Sequence, residues 1–230
     1  MNTFDTAIET FLTQLHLSTL SSAGIRFVAD SYTFKGLVLI PLLWWIWFRP
    51  GADREWRREM VIAAIFSGLL ALSVGRILAH FLPFRVRPLY EQNLHLQFPS
   101  IPQHESLLSA WSSFPSDHAM LWAAVSVGIF IVSRRLGVLA LSYTVIFICA
   151  PRAYLGFHYP TDLLAGAAIG ILITYLMTRN SVRNLYAPRV LRWIESYPGQ
   201  SAAVGFVLCL EIVTQFDELR SFANAIFRNM

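Results

Sequence analysis

Residues 60–80 read MVIAAIFSGLLALSVGRILAH, with Arg76 the one charged side chain inside the run. A stretch of this length and character matches the ~20 apolar residues that carry a helix across a hydrocarbon core. Five further stretches resemble it on either side, at residues 31–48, 116–133, 136–150, 161–177 and 202–216. The whole chain of 230 residues is 55% hydrophobic and only 14% charged, where a soluble domain carries about 25% charged residues. The expected fold is therefore an all-α membrane protein, a bundle of about six transmembrane helices forming one domain over residues 1–230. Residues 1–30 mix Asp5, Glu9 and Arg26 with Ile8, Phe11, Leu12 and Leu15, which reads as an interfacial amphipathic helix. They lack the basic start of a signal peptide.

The arginines orient the bundle. Basic residues gather in short loops on the cytoplasmic side. Arg49, Arg54, Arg57 and Arg58 follow the first span, Arg134 and Arg135 the third, and Arg179, Arg183, Arg189 and Arg192 the fifth. Segments 81–115 and 151–160 and both termini are then expected on the external face, the periplasmic one if the membrane is a bacterial inner membrane. The only lysine, Lys35, falls near the outer end of the first span and reads as a side chain that snorkels to the headgroups. The net charge of +4 is explained by these span ends, so no nucleic-acid partner is expected. Cys149 and Cys209 fall inside spans, which argues against a disulfide framework.

Three polar segments converge on the external face. They are HFLPFRVRP at 80–88, FPSDH at 114–118 and PRAYLGFHYPTD at 151–162. Arginine forks such as Arg87 and Arg152 suit phosphate oxygens. Ser116, placed before an apolar helix, can cap it while the first-turn amides face an anion. His158 and Asp162, four residues apart, share a face if a helix starts near them, so the carboxylate would orient the imidazole for attack on phosphorus. His118, from another helix, would then protonate the leaving oxygen.

In order and spacing these segments resemble the signature of the type 2 phosphatidic acid phosphatase superfamily, written K-x6-R-P, P-S-G-H and S-R-x5-H-x3-D. The resemblance implies a phosphatase of about six transmembrane helices, with no metal or other cofactor. It implies phosphate binding by Arg87, Arg152 and Ser116, catalysis by His118, His158 and Asp162, and transient phosphorylation of His158. Three positions depart: His80 stands for the family's lysine, Asp117 for its glycine and Pro151 for its serine. His80, Arg85 and Arg76 are the candidates for the missing lysine's role. The P-S-D-H variant is similar to that of the bacterial undecaprenyl-diphosphatase group associated with bacitracin resistance. The expected activity is thus hydrolysis of a lipid phosphate or diphosphate, with undecaprenyl diphosphate the best substrate, no nucleic acid and no obligate protein partner.

Two alternatives use the same residues. A lipid phosphotransferase would pass the phosphate to a lipid or sugar acceptor, and a transporter would recognise phosphate without turnover. His95 and His104 with Glu91 and Glu105 suggest a metal site only weakly, because two-metal phosphatases need several carboxylates around the reacting group. Their loop reads instead as a lid or a solvated connection. Gly166 and Gly170 have the small-xxx-small spacing of close helix packing.

Overall fold

The computed structural model describes residues 2–15, 17–36, 38–91, 96–99 and 109–217, and regular structure among them is helical throughout. The helices are α1 (Thr3–Gln14), α2 (Thr19–Asp30), α3 (Tyr32–Gly36), α4 (Leu39–Phe48), α5 (Arg54–Phe81), α6 (Asp117–Val132), α7 (Arg134–Tyr143), α8 (Ala150–Tyr154), α9 (Pro160–Thr178), α10 (Asn180–Ser196) and α11 (Pro198–Thr214). Each of the six apolar stretches has a helical counterpart. Among the described residues three helical segments, Arg54–Phe81, Arg134–Tyr154 and Pro160–Thr178, are long and apolar enough to cross a membrane. A fourth span arises if α2 joins α3 and α4 across a 67° bend. Helices α6 and α11 are apolar but shorter, so the count of six is an upper reading. His95, His104, Glu105 and much of the expected lid lie outside the described residues.

Helix α6 is the axis of the bundle and packs most extensively against α5 and α9. It is apolar around its whole circumference, as a helix enclosed on all sides must be. Every residue from 119 to 126 is buried, including Trp122. Glycines let its neighbours close in. A Cβ on Gly166 would sit 2.5 Å from the Ser116 carbonyl oxygen, and one on Gly170 2.2 Å from that of Met120. Gly68 of α5 presses on Leu121 and Val125 in the same way. Hydroxyls add cross-links: Thr174 donates to the Ala124 carbonyl at 3.0 Å, and Ser126 meets Thr144 at 2.9 Å. Thr144 opens a π-helical turn, Thr144–Cys149, between α7 and α8. Pro151 just beyond it lacks the N–H that would bond residue 147, and a widened turn absorbs that loss.

Two expectations change here. Segment 178–201, read as an inner loop, contains α10, which buries Arg183 against Glu59 at 3.1 Å. Residues 1–30 form two helices where one was expected, and the acidic face of α1 turns into the protein. Asp5 and Glu9 are fully buried, while Phe4 and Phe11 face outward. The reason is a set of donors at the start of α9: Asp5 accepts from the Thr161 amide at 3.0 Å, the Thr161 hydroxyl at 2.7 Å and Arg85 at 2.7 Å.

Two predictions follow from this packing. Gly170→Val drives a side chain into the backbone of α6, which cannot step aside. The apparent Tm of the detergent-solubilised protein should fall by roughly 5–10 °C, whereas Gly199→Ala, with open space around its Cβ, should leave it unchanged. Glu9, buried and facing the charges of Asp5 and Asp162, has its carboxyl pushed up from 4.5 to about 8. A carboxyl with a raised folded value keeps a proton that the unfolded chain has released. Stability should therefore decline as pH rises from 4.5 to about 8, with a slope of at most about 1.4 kcal/mol per pH unit. Thermal melts across that range should show a shallower decline for Glu9→Gln.

Candidate active site

The segment entering α9 sets the position of His158. Pro160 occupies the first turn of α9, where its missing N–H is harmless, and Tyr159 is the N-cap. His158 precedes the cap and so lies outside the helix. Asp162, at the third helical position, turns back to accept from the Tyr159 amide at 2.9 Å, as an acidic residue there does in a capping box. This overturns the expected His158–Asp162 pair, because the i,i+4 relation holds only when both residues are helical. The buried Asp162 carboxylate also accepts from the Ser113 hydroxyl and from Arg85.

What orients His158 is a carbonyl. Its Nδ1 lies 2.8 Å from the Ser113 carbonyl oxygen. A carbonyl only accepts, so Nδ1 carries the proton and Nε2 presents its lone pair. Nε2 faces Arg87 Nη1 at 3.4 Å, and the same guanidinium nitrogen donates to the Phe157 carbonyl at 2.7 Å. The imidazole is 4% exposed. Burial, with the Arg87 charge beside it, pushes its pKa well below the usual histidine value. His158 is therefore neutral at physiological pH, the form that can act as a nucleophile. Asp162 acts on it only at one remove, through Ser113.

His118 opens onto the same space from α6. Its Nδ1 is 2.8 Å from Asp117 Oδ1, which also accepts the His118 amide at 2.8 Å. Among the described residues its Nε2 is buried without a hydrogen-bond partner. The residue that departs from the family pattern, Asp117, thus holds the neighbouring imidazole by its Nδ1. These groups line a cavity of about 280 Å³ together with Arg87, Arg152, Arg76 and Lys35.

Several expected phosphate contacts fall elsewhere. Ser116 is fully buried and its hydroxyl accepts from the Ala119 amide at 3.4 Å, so it caps α6 and does not line the cavity. Arg85 is engaged by Asp162, Asp5 and Thr161, with its guanidinium 4.1 Å from the centre of the Tyr159 ring. It braces the site without entering it. His80 is exposed, its ring edge-on to Phe81, and also stays off the cavity. Arg76 does reach the wall, where it donates to the Gln215 carbonyl and faces Asp217 at 3.7 Å. Arg152 is buried in the wall and donates to the Ile148 carbonyl at 3.1 Å.

Sequence reasoning missed Ser113, Asp117 as partner of His118, Asp5 and Lys35. The available signal for Lys35 was a lone charge in an apolar span, which is costly and marks function more often than not. For Ser113, which acts through its backbone carbonyl, there was none. Among the described residues no group of three or more His, Cys, Asp or Glu side chains is arranged to hold a metal ion.

Several known proteins resemble this chain. The undecaprenyl-diphosphatase BcrC of Bacillus subtilis is 26% identical over 166 residues, covering 72% of this chain and 77% of that protein. The bacitracin transport permease protein BcrC of Bacillus licheniformis is 30% identical over 148 residues, covering 64% and 66%. The putative undecaprenyl-diphosphatase YbjG of Escherichia coli is 27% identical over 151 residues, covering 66% and 68%. Among solved structures, the transmembrane PAP2 type phosphatidylglycerolphosphate phosphatase from Bacillus subtilis shares the fold, with a TM-score of 0.50 at 22% identity over 75% of this chain and 82% of that one. The PAP2 superfamily profile matches residues 60–186, a range that holds all three polar segments and every side chain of the His118–His158 pair, and this chain belongs to that superfamily of membrane phosphatases.

Proposed function

We propose that this protein hydrolyses undecaprenyl diphosphate to undecaprenyl phosphate at the external face of a bacterial inner membrane, through a phosphohistidine intermediate. The observation that carries the reading is that two histidines line one cavity with Arg87 and Arg152: the Nε2 of His118 has no partner among the described residues, and that of His158 meets Arg87. The names of the relatives supply the lipid. The arginines of the opposite loops, with both termini then external, supply the face.

The chemistry runs in two displacements. Arg87 and Arg152 hold the phosphoryl oxygens, and His158 Nε2 attacks phosphorus while the bond to the leaving oxygen breaks. His118, protonated on Nε2 and held by Asp117, gives its proton to that oxygen. A water then attacks the phosphohistidine with His118 as base, releasing inorganic phosphate and restoring both imidazoles. Fixed charges in a poorly hydrated pocket stabilise the transferring group more than water would, the dominant effect in phosphoryl transfer. No step requires a metal, so EDTA should leave the rate unchanged.

Two measurements test the assignment. His158→Ala should lower phosphate release from undecaprenyl diphosphate by on the order of 10⁴-fold or more, and acid-labile radiolabel from a phosphate-labelled substrate should be trapped on wild type only. Near wild-type release by His158→Ala would refute the nucleophile. The second test is pH. A nucleophilic imidazole works above its pKa, and that of His158 is lowered, so kcat/KM, corrected for substrate ionisation, should stay level as pH falls through 6.5. An acid limb centred near 6.5 would contradict this.

A further inference from the structure

The cavity contains a cation that none of the three polar segments supplies. Lys35 comes from α3, is 6% exposed and lines the cavity with Arg87, Arg152, His118 and His158. Its position is fixed by packing, since a Cβ on the adjacent Gly36 would lie 2.3 Å from Val213 of α11. Each guanidinium in the wall is tied to a backbone carbonyl: Arg76 to Gln215, Arg87 to Phe157 and Arg152 to Ile148. Among the described residues the Lys35 ammonium has no ion pair or hydrogen bond. Its contact is the face of the Tyr32 ring, 4.3 Å from the centroid.

A buried ammonium held only by a ring face is costly, and here Arg152 repels it as well. Asp30, Asp117 and Asp217 offset part of that cost from across the cavity without reaching salt-bridge distance. An anion entering the cavity would satisfy the ammonium and relieve the repulsion together. Meanwhile the position where the family has its first-motif lysine holds His80, which faces away from the cavity, and Arg85 is fully engaged elsewhere.

We propose that Lys35 takes over the phosphate-binding role of the absent first-motif lysine, reaching the substrate's oxygens from the N-terminal side of the bundle. The ligand chemistry is a phosphate oxyanion, whether borne by a lipid or free. This inference rests on the phosphatase reading above, and one experiment separates the two. Wild type, Lys35→Met and Lys35→Arg would be purified in detergent. Each would be assayed for turnover of undecaprenyl diphosphate and for tungstate affinity from ligand-dependent shifts in Tm. For Lys35→Met we expect kcat/KM to fall on the order of 100-fold and tungstate to bind at least about tenfold more weakly. Its ligand-free Tm should be equal to or above that of wild type, because a buried charge has been removed. Lys35→Arg should recover part of both losses. If wild type binds tungstate but turns over no lipid phosphate, the lipid phosphatase reading fails, while the tungstate comparison still decides the role of Lys35. Tungstate affinity and turnover of Lys35→Met within about threefold of wild type would overturn the proposal. Should that variant fail to fold, Lys35→Gln carries the same test.

Discussion

The Asp162 carboxylate is the point on which the site depends. It is fully buried, and its two oxygens gather Arg85, the Ser113 hydroxyl and the Tyr159 amide. Those partners come from the segment after α5, the segment before α6 and the cap of α9. A buried carboxylate is tolerable only when its lone pairs are satisfied, so the three segments must meet there for the fold to be stable. Once they do, the Ser113 carbonyl lies 2.8 Å from His158 Nδ1 and the imidazole tautomer follows. Asp5 extends the same arrangement to α1 through Arg85 and Thr161. An acidic residue at this place therefore sets the geometry of His158 without touching it.

The second constraint is the closeness of α6 to α9. Gly166 lies against the carbonyl of Ser116 and Gly170 against that of Met120, so the residues that precede and begin α6 cannot drift from the start of α9. The Ser116 amide donates to the Asp162 carbonyl at 3.2 Å, joining the two helix starts directly. His118, in the first turn of α6, is thereby held on the same cavity as His158. Packing glycines deep in the bundle and polar groups at its end are parts of one positioning device.

Much of this was legible in the sequence, and the reasons for the exceptions are physical. Hydropathy located the six apolar stretches, each of which is helical in the structure, because the lipid imposes that pattern on every residue facing it. The convergence of Arg87, Arg152, His118 and His158 was legible because charge alternation across spans places segments on a face. Two classes of feature were not. Roles carried by the backbone, such as the Ser113 carbonyl, leave no mark on residue type. The direction of a side chain near a helix end, as for Asp162 and Ser116, depends on where the helix begins to within one residue, finer than hydropathy resolves. The polar face of α1 was visible, but its partner, the Thr161 and Arg85 donors of a distant segment, was not.

The placement of Lys35 follows from the same economy of charge. A phosphate pocket at the edge of a membrane needs several cations in little water, and cations in such a place repel each other and lose hydration. Arg76, Arg87 and Arg152 limit that cost by donating to carbonyl oxygens, which fixes their direction and spends part of their hydrogen-bonding capacity. A lysine on a flexible stem at α3 lines the same cavity with its ammonium against the Tyr32 ring, which on the proposal above leaves its donors for the ligand. Asp117, which would oppose a phosphate by its charge, is occupied by His118 through Oδ1. A phosphate oxyanion bound there would meet Arg87, Arg152 and, on the proposal above, Lys35 together.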